Sequence, residues 1–365
     1  MRQFFEARLV NAPFGDPGLH VDFRDQRRAL LFDLGDIGVL PPRKLLRVSH
    51  AFVTHSHMDH FFGFDQFVRV VLGRKPGVVL FGGPGFIDQV EHKLHAYTWN
   101  VVHRYAELAI DVREIGTQGH AQRARFSSRA GFARESCAAL ELNGDTLLDE
   151  TLFRVRGRFV DHGTPCLAFA IEEKAHVNVA KDRLAALGVS TGAWLRELKH
   201  AVLTGAPDST PIPVQWRDAR GEHQMTRPLG ELRDVVLNVG AGLRVGYVTD
   251  LRFTEANVEA LAQLLIAPRA GPARPVPRGG SSKVAEPHLL EGGVDRLFIE
   301  SVFLNADLDH AARKNHLTAR QAGEIARRVG AKAVVPFHFP PRYAGREAEL
   351  IAEVNAAAQA LPSHA

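Results

Sequence analysis

The sequence predicts an α+β fold, a four-layer αββα sandwich, on three observations. Short apolar and β-branched runs dominate the first half of the chain. Runs of helical periodicity fall between and after them, in two broadly similar halves. The strand-like runs end on His55, His162, Asp250 and His338, so polar residues gather at one edge of a sheet system. Regular alternation of strand and helix would instead predict a doubly wound parallel sheet.

Taken in order, Phe4–Val10, His20–Phe23 and Ala29–Phe32 read as short strands, the last running into Asp33. Val48–Thr54 is a further strand and stops at His55. From Asp59 to Leu72 the apolar residues Phe61, Phe64, Phe67, Val68, Val71 and Leu72 recur at helical spacing. Val78–Phe81 reads as a strand, Gly85–Tyr97 as a helix and Leu108–Ile115 as a strand. Leu152–Val160 leads into Asp161-His162-Gly163, and Cys166–Ile171 is a strand after that turn. Leu243–Thr249 ends at Asp250, and Leu297–Ile299 precedes Glu300. Helices follow at Glu255–Ile266 and Thr318–Val329, a strand Ala333–Phe337 ends at His338, and a helix Glu347–Ala360 closes the chain.

One domain is expected to span residues 1–365. Residues 175–239 show weak periodicity and contain Pro207, Pro211, Pro213 and Pro228, which predicts an insertion or arm. Residues 268–287 are rich in Pro, Gly and Arg and predict a flexible loop.

Of the 365 residues, 45% are hydrophobic and 24% charged, the balance of a soluble globular enzyme. No apolar run has signal-peptide or membrane-span length, so a cytoplasmic protein without membrane contact is expected. Only Cys137 and Cys166 are present, which excludes a disulfide framework and a cysteine-based zinc site. Histidine is abundant, at 18 residues, and justifies a search for ligand spacing. The formal charge of +4 fits polyanionic and neutral substrates equally.

The strongest signal is His55-Ser56-His57-Met58-Asp59-His60, four metal-capable side chains in a turn after an apolar strand. On a strand or tight loop alternate residues point the same way. His55 and His57 can thus reach one cation, while Asp59 and His60, past the turn, reach a second. Imidazole and carboxylate ligands suit zinc at about 2.0–2.2 Å, and also manganese or iron. A lone His-x-His is most often a surface pair, but this fuller string directly after a core strand is far more specific.

With these residues the chain resembles the metallo-β-lactamase fold superfamily, and within it the ribonuclease Z (tRNA 3′-endonuclease) branch, from about Leu30 to Arg342. LLFDLGD resembles the first motif, with Asp33; HSHMDH the second; VDHGTPCLAFAIEE the third, with His162. GYVTDLRF resembles the fourth, with Asp250, and VVPFHFPPRY the fifth, with His338. The stretch ending in His316-Leu317-Thr318 is similar to one that carries a His-Ser-Thr element in ribonuclease Z. The resemblance implies that His55, His57 and His162 hold one metal, that Asp59, His60 and His338 hold the other, and that Asp250 bridges them. It implies that Asp33 braces the histidine loop rather than binding metal. It also implies a homodimer. Taken singly, His162 reads equally as a turn residue and Asp250 as a helix cap.

Two divalent cations about 3.5–4 Å apart share a water, lower its pKa toward ~7 and leave a metal-bridging hydroxide to attack phosphorus. By the same resemblance His316 is the candidate general acid for the leaving alkoxide, with Glu300 orienting it. Asp59 is a candidate to accept a proton from the attacking water while it ligates. The plainer readings are a helix-start residue for His316 and a turn-capping carboxylate for Glu300.

The expected function is a binuclear metal-dependent hydrolase, a phosphodiesterase acting on structured RNA such as precursor tRNA with its 3′ trailer. The alternative is a small-molecule hydrolase cleaving an anionic phosphodiester, a lactone, a thioester or a sulfate ester. A non-catalytic binding protein is the third option, and the full ligand set argues against it. Two departures from the ribonuclease Z pattern bear on the choice. Met58 stands where that family has Gly, and Ser190-Thr191-Gly192-Ala193 replaces a Pro-Pro-Gly-Pro pattern ahead of the tRNA-gripping arm. Two basic runs offer phosphate contacts: Arg113, Arg123, Arg125, Arg129 and Arg134, and the group Arg269, Arg274, Arg278 and Lys283. Such runs are more often solvated faces.

Overall fold

The computed structural model describes residues 4–23, 26–116, 119–218, 221–266 and 293–360. The loop expected at 268–287, with its basic residues, lies outside the described residues. Eight strands form the first sheet in sequence order: β1 (Phe5–Leu9), β2 (Leu19–Phe23), β3 (Arg28–Phe32), β4 (Val48–Phe52), β5 (Gly77–Gly82), β6 (Ala109–Ile115), β7 (His120–Ser127) and β8 (Arg134–Glu141). Strands β3 to β6 run parallel, and their neighbours on both sides are antiparallel. Central parallel strands are covered on both faces, and β3 is accordingly buried from Ala29 to Phe32.

The chain then enters a second sheet through β9 (Thr146–Asp149), β10 (Phe153–Asp161) and β11 (Pro165–Glu173). It leaves for a separate lobe containing β12 (His176–Val179), β13 (Pro211–Asp218), β14 (Gly221–Pro228) and β15 (Leu237–Gly240). It returns for β16 (Arg244–Val248), β17 (Arg296–Glu300) and β18 (Val334–Phe337), giving the order β18-β17-β16-β11-β10-β9. Strands β16, β17 and β18 are parallel, while β11 is antiparallel to both β16 and β10. The ends of β10, β16, β17 and β18 therefore share one edge.

Three apolar layers hold the sandwich. Between the sheets lie Phe32, Phe52, Phe81, Phe169, Tyr247 and Phe337, with Phe52 stacked on Phe81 at 4.6 Å and edge-on to Phe169 across the layer at 5.7 Å. Outside the first sheet, helix Phe64–Val71 buries Phe64, Phe67, Val68 and Val71, a single helical stripe, and helix Phe86–His95 packs beside it. Outside the second sheet, helices Glu255–Leu265, Ala319–Arg328 and Glu347–Gln359 bury their apolar faces. The four-layer αββα arrangement follows.

The structure departs from the sequence pattern in three places. The helix expected over 59–72 is two helices, Met58–Phe61 and Phe64–Val71, divided at Gly63. A Cβ at Gly63 would run into the Gly35 carbonyl oxygen. The Gly63 amide donates to Leu34 O at 2.7 Å, and the Leu34 amide to His60 O at 2.8 Å. The loop after β3 is thereby knitted to the histidine turn. Strands β7 and β8 had no clear signal, because the buried side of β7 consists of Ala121, Ala124 and Phe126 and a bulge interrupts its pairing with β8. Alanine is a poor strand former. Within 176–240, helices Lys181–Ala186, Trp194–Leu203 and Leu229–Val236 enclose a small core of Leu184, Trp194, Leu198, Ile212, Val214 and Val236. Prolines in its two-stranded hairpin, where Pro211 opposes Pro228, obscured that pattern.

His50 on β4 lies over Phe52 and Phe81, and its Nδ1 accepts from Arg28 Nη2 at 3.2 Å. Burial, helped by the Arg28 charge, pushes its pKa down to about 4. Burial does the same to His20, also to about 4. The unfolded chain takes up these protons near the ordinary value of about 6.5, so stability is full above that pH and falls as pH drops toward 4. Urea midpoints of the metal-free protein at pH 7, 5.5 and 4.5 should fall accordingly. H50Q should show a flatter slope whatever its absolute stability; equal slopes would remove His50 from this account.

Candidate metal centre

Polar residues follow the strand ends within three positions: Asp33 after β3, His55 after β4, His162 after β10, Asp250 after β16 and His338 after β18. Asp33, Asp250 and His338 have φ of 58°, 51° and 65°. Non-glycine residues are held in this left-handed region only where the surroundings over-determine them, commonly at functional sites.

Asp250 is the hub. Its Oδ2 stands 3.6 Å from His55 Nε2, 3.5 Å from His60 Nε2 and 3.4 Å from His162 Nε2. Its Oδ1 accepts from Thr249 Oγ1 at 2.7 Å and lies 3.0 Å from His338 Nδ1. Asp59 Oδ2 is 3.2 Å from His338 Nε2 and 3.5 Å from His60 Nε2. His57 stacks edge-on to His55 at 4.2 Å and faces His162 at 5.3 Å.

The outward ring nitrogens fix the tautomers. His60 Nδ1–H donates to Asp33 Oδ2 at 2.9 Å, and His162 Nδ1–H to the Asn315 carbonyl at 2.8 Å. Thr54 Oγ1 donates to Asp33 at 3.1 Å and accepts from His55 Nδ1–H at 3.1 Å. Each imidazole therefore turns its Nε2 lone pair toward Asp250. Among the described residues the buried Nε2 atoms of His55 and His60 have no hydrogen-bond partner, although nearly all buried polar groups find one. Unpartnered nitrogen lone pairs converging on carboxylate oxygens are what cations require, so the residues fit a metal centre. Three groups of side chains bring ligand atoms within 4.8 Å of one another: His55, His57, His162 and Asp250; Asp59, His60 and His338; and Asp250, Glu300, His316 and His338.

Hydrogen bonds from the groups behind the candidate ligands, which orient them, are dense here. Asp33 is fully buried and accepts from the Thr54 amide at 2.7 Å and from Tyr247 Oη at 2.9 Å. It ties the histidine turn of one sheet to β16 of the other. Cys166 Sγ donates to Thr249 O at 3.3 Å and touches His55 Nδ1 at 3.7 Å. Sequence reasoning singled out Asp33 but not Thr54, Tyr247, Cys166 or Asn315. Only Tyr247 left a trace, as a polar tip on the strand that ends ahead of Asp250.

His316 Nδ1 lies 2.7 Å from Glu300 Oε2, and Glu300 Oε1 accepts from the Leu251 amide at 2.8 Å. Glu300 is fully buried. The His316 ring stands 4.8 Å from that of His162 and 5.7 Å from that of His338. The two residues are thus brought together, beside the cluster.

The five arginines of the first basic run are all paired. Arg113 and Arg123 hold Asp111, Arg125 and Arg129 hold Glu107, and Arg134 holds Asp88 and Glu91. The acids come from outside the run or from the adjoining strand, which a local charge count misses.

Electrostatics without metal divide the histidines. Burial pushes His55 down to about 2 and also lowers His57. For His338 burial opposes the charge, but Asp250 and Asp59 outweigh it and push the ring up to about 10. Burial likewise opposes charge on His60, and Asp250 and Asp33 raise it well above the ordinary value. Burial favours the neutral acid at Asp59 and Asp250, yet the facing imidazoles hold both below the usual carboxylate range. Protons thus occupy part of the place of cations, and metal must displace them. Loading the metal-free chain at pH 7.5 in weak buffer should release protons, and metal affinity should fall as pH falls. Titration with a pH indicator checks this; loading without proton release would contradict it.

Against known proteins, the chain is 29% identical to the protein named ribonuclease Z of Deinococcus radiodurans, over 97% of this chain and 95% of that one. It is 24% identical to the ribonuclease Z of Methanothermobacter thermautotrophicus, over 91% and 82%. Among solved structures it resembles the metallo-β-lactamase fold protein YhfI from Bacillus subtilis, with TM-score 0.50, 14% identity and coverage of 97% and 92%. No protein-family model matches.

Proposed function

We propose that this chain, a metal-dependent hydrolase with the metallo-β-lactamase fold and ribonuclease Z-like sequence, cleaves a phosphodiester at the 3′ side of structured RNA, with precursor tRNA as substrate. The likeness to the Deinococcus radiodurans protein along nearly the whole of both chains carries this reading. That relative's name gives RNA as the substrate class; precursor tRNA and its 3′ side come from the resemblance to the ribonuclease Z branch.

His55, His57 and His162 are assigned to one cation, and Asp59, His60 and His338 to the other, with Asp250 between them. The nitrogen-rich set favours zinc. When bound, the cations supply Lewis acidity toward a phosphoryl oxygen and lower the pKa of the attacking water. Asp59 is partly exposed and placed to take that water's proton. His316 gives a proton to the leaving oxygen. Glu300 holds its Nδ1–H, orients the ring and, against the effect of burial, raises its pKa, so that a proton is available near neutrality. Asp33, Thr54 and Asn315 keep the ligand nitrogens aimed. A homodimer is the proposed assembly, by the same likeness. Among the described residues no helix is long and apolar enough to cross a membrane.

One observation favours the small-ester reading instead. Several basic residues that would grip an RNA backbone are engaged by acids, including Arg233 with Asp208 and Asp234, and Arg227 with Glu231, in the 176–240 lobe. The deciding experiment incubates metal-loaded protein with a trailer-bearing precursor tRNA beside bis(p-nitrophenyl) phosphate, a lactone and a thioester. The RNA reading expects cleavage at the trailer with steep salt dependence. Intact RNA beside a hydrolysed small ester would transfer the assignment to the second reading.

Replacing His57 by Ala should remove metal and activity together. His316→Ala should lower kcat by about 10²–10⁴-fold while metal content stays near that of the parent. Metal analysis alongside the kinetics separates the two roles, and loss of metal in the His316 variant would make it a ligand.

A further inference from the structure

A cleft of about 140 Å³ opens directly beside the metal centre and shares His55 and His57 with it. Its other walls come from three separate elements. Ser56 belongs to the histidine turn, Gly83 and Gln89 to the turn after β5 and the helix behind it, and Thr164 and Pro165 to the β10–β11 turn. Among the described residues no Lys, Arg, Asp or Glu lines it. The Gln89 carboxamide is anchored at one end by the Ser56 hydroxyl. Among the described residues neither its amide nitrogen nor the Thr164 hydroxyl has a hydrogen-bond partner.

Beyond His55 and His57, which belong to the metal centre, this lining offers a phosphate no positive charge. It suits the uncharged part of a substrate whose phosphate sits at the adjoining centre. A carboxamide offers a donor and an acceptor side by side, the pattern that pairs with the edge of a nucleobase, and single-stranded bases are read by such contacts. We propose that the cleft is a nucleobase subsite for the nucleotide flanking the scissile phosphodiester, with Gln89 as the residue that discriminates among bases. Ser56 acts as a positioning residue by holding one end of the amide. The proposal rests on the phosphodiesterase reading and names the part of the substrate that the cleft takes.

The test measures binding, so that it does not depend on turnover. Metal-loaded protein is titrated calorimetrically with the 3′- and 5′-monophosphates of adenosine, guanosine, cytidine and uridine, and with ribose 5-phosphate. The expected result is a preference of about five- to tenfold for one base over the weakest, the size of one or two hydrogen bonds. Gln89→Leu should collapse the spread to within about twofold, and Gln89→Glu, of the same shape, should reorder it, because one donor becomes an acceptor. A spread that survives in Gln89→Leu overturns the proposal. So does ribose 5-phosphate binding as tightly as the best nucleotide, which would assign the cleft to the sugar. Folding of each variant is checked by its metal content. A chain that shows base preference here but leaves precursor tRNA intact keeps the subsite and loses the tRNA reading. Cleavage of that RNA without base preference in binding does the reverse.

Discussion

A carboxylate cannot keep its charge inside a protein unless positive charge or strong donors meet it, and Asp250 is such a carboxylate, 2% exposed at the junction of two sheets. Its oxygens face four imidazoles and one hydroxyl. Much else in the fold follows from satisfying that charge. The strained backbone at Asp33, Asp250 and His338 aims side chains inward that an unstrained strand end would direct elsewhere. The behind-ring hydrogen bonds of His55, His60 and His162 turn the right nitrogen toward it. Cations complete the balance better than protons do, because they can be shared among all of these lone pairs at once.

The same demand explains why the two sheets must be registered to one another. Asp33 lies at the end of β3 in the first sheet, and Tyr247 on β16 in the second, yet their side chains bond across the interface at 2.9 Å. Asp33 also holds Thr54 and His60. A shift of one sheet against the other would leave a fully buried carboxylate short of a donor, a penalty of roughly 1–3 kcal/mol or more for a charged group. Packed phenylalanines give the sandwich its cohesion; this polar link gives it a single alignment.

How much of this could be read beforehand depended on range. The string from His55 to His60 declares itself because its members are neighbours in sequence. The more distant members of the cluster were found only through their common place at strand ends, and through resemblance. Glu300 and His316 needed the resemblance as well, since a separation of 16 positions hides their contact. Thr54, Cys166 and Asn315 left no signal, since a hydroxyl, a thiol and a main-chain carbonyl look alike wherever they fall. Charge was the most misleading property to count locally. The arginines from Arg113 to Arg134 look unopposed along the chain, but the fold brings Asp88, Glu91 and Glu107 to them. Strand β7 escaped notice for a related reason: its buried side is small, and small side chains carry little periodic contrast.

Neutralised arginines change what recognition must rely on. Exposed ion pairs already satisfied within the protein give little to a passing phosphate, because each new contact must replace an old one. Cations held by the cluster would add positive potential in a recess beside the strand ends. Discrimination has to come from what surrounds that phosphate, and the surroundings are of two kinds. On one side stand His316 and Glu300, hydrogen-bonded to one another. On another is a neutral, hydrogen-bonding cleft that rewards an uncharged group of matching pattern and penalises a second charge by desolvation. Near the rim is Met58, 80% exposed, a side chain without charge or hydrogen-bonding strength. A site built this way selects its substrate by the neutral chemistry next to the reacting phosphorus, and total negative charge contributes mainly to the rate of encounter.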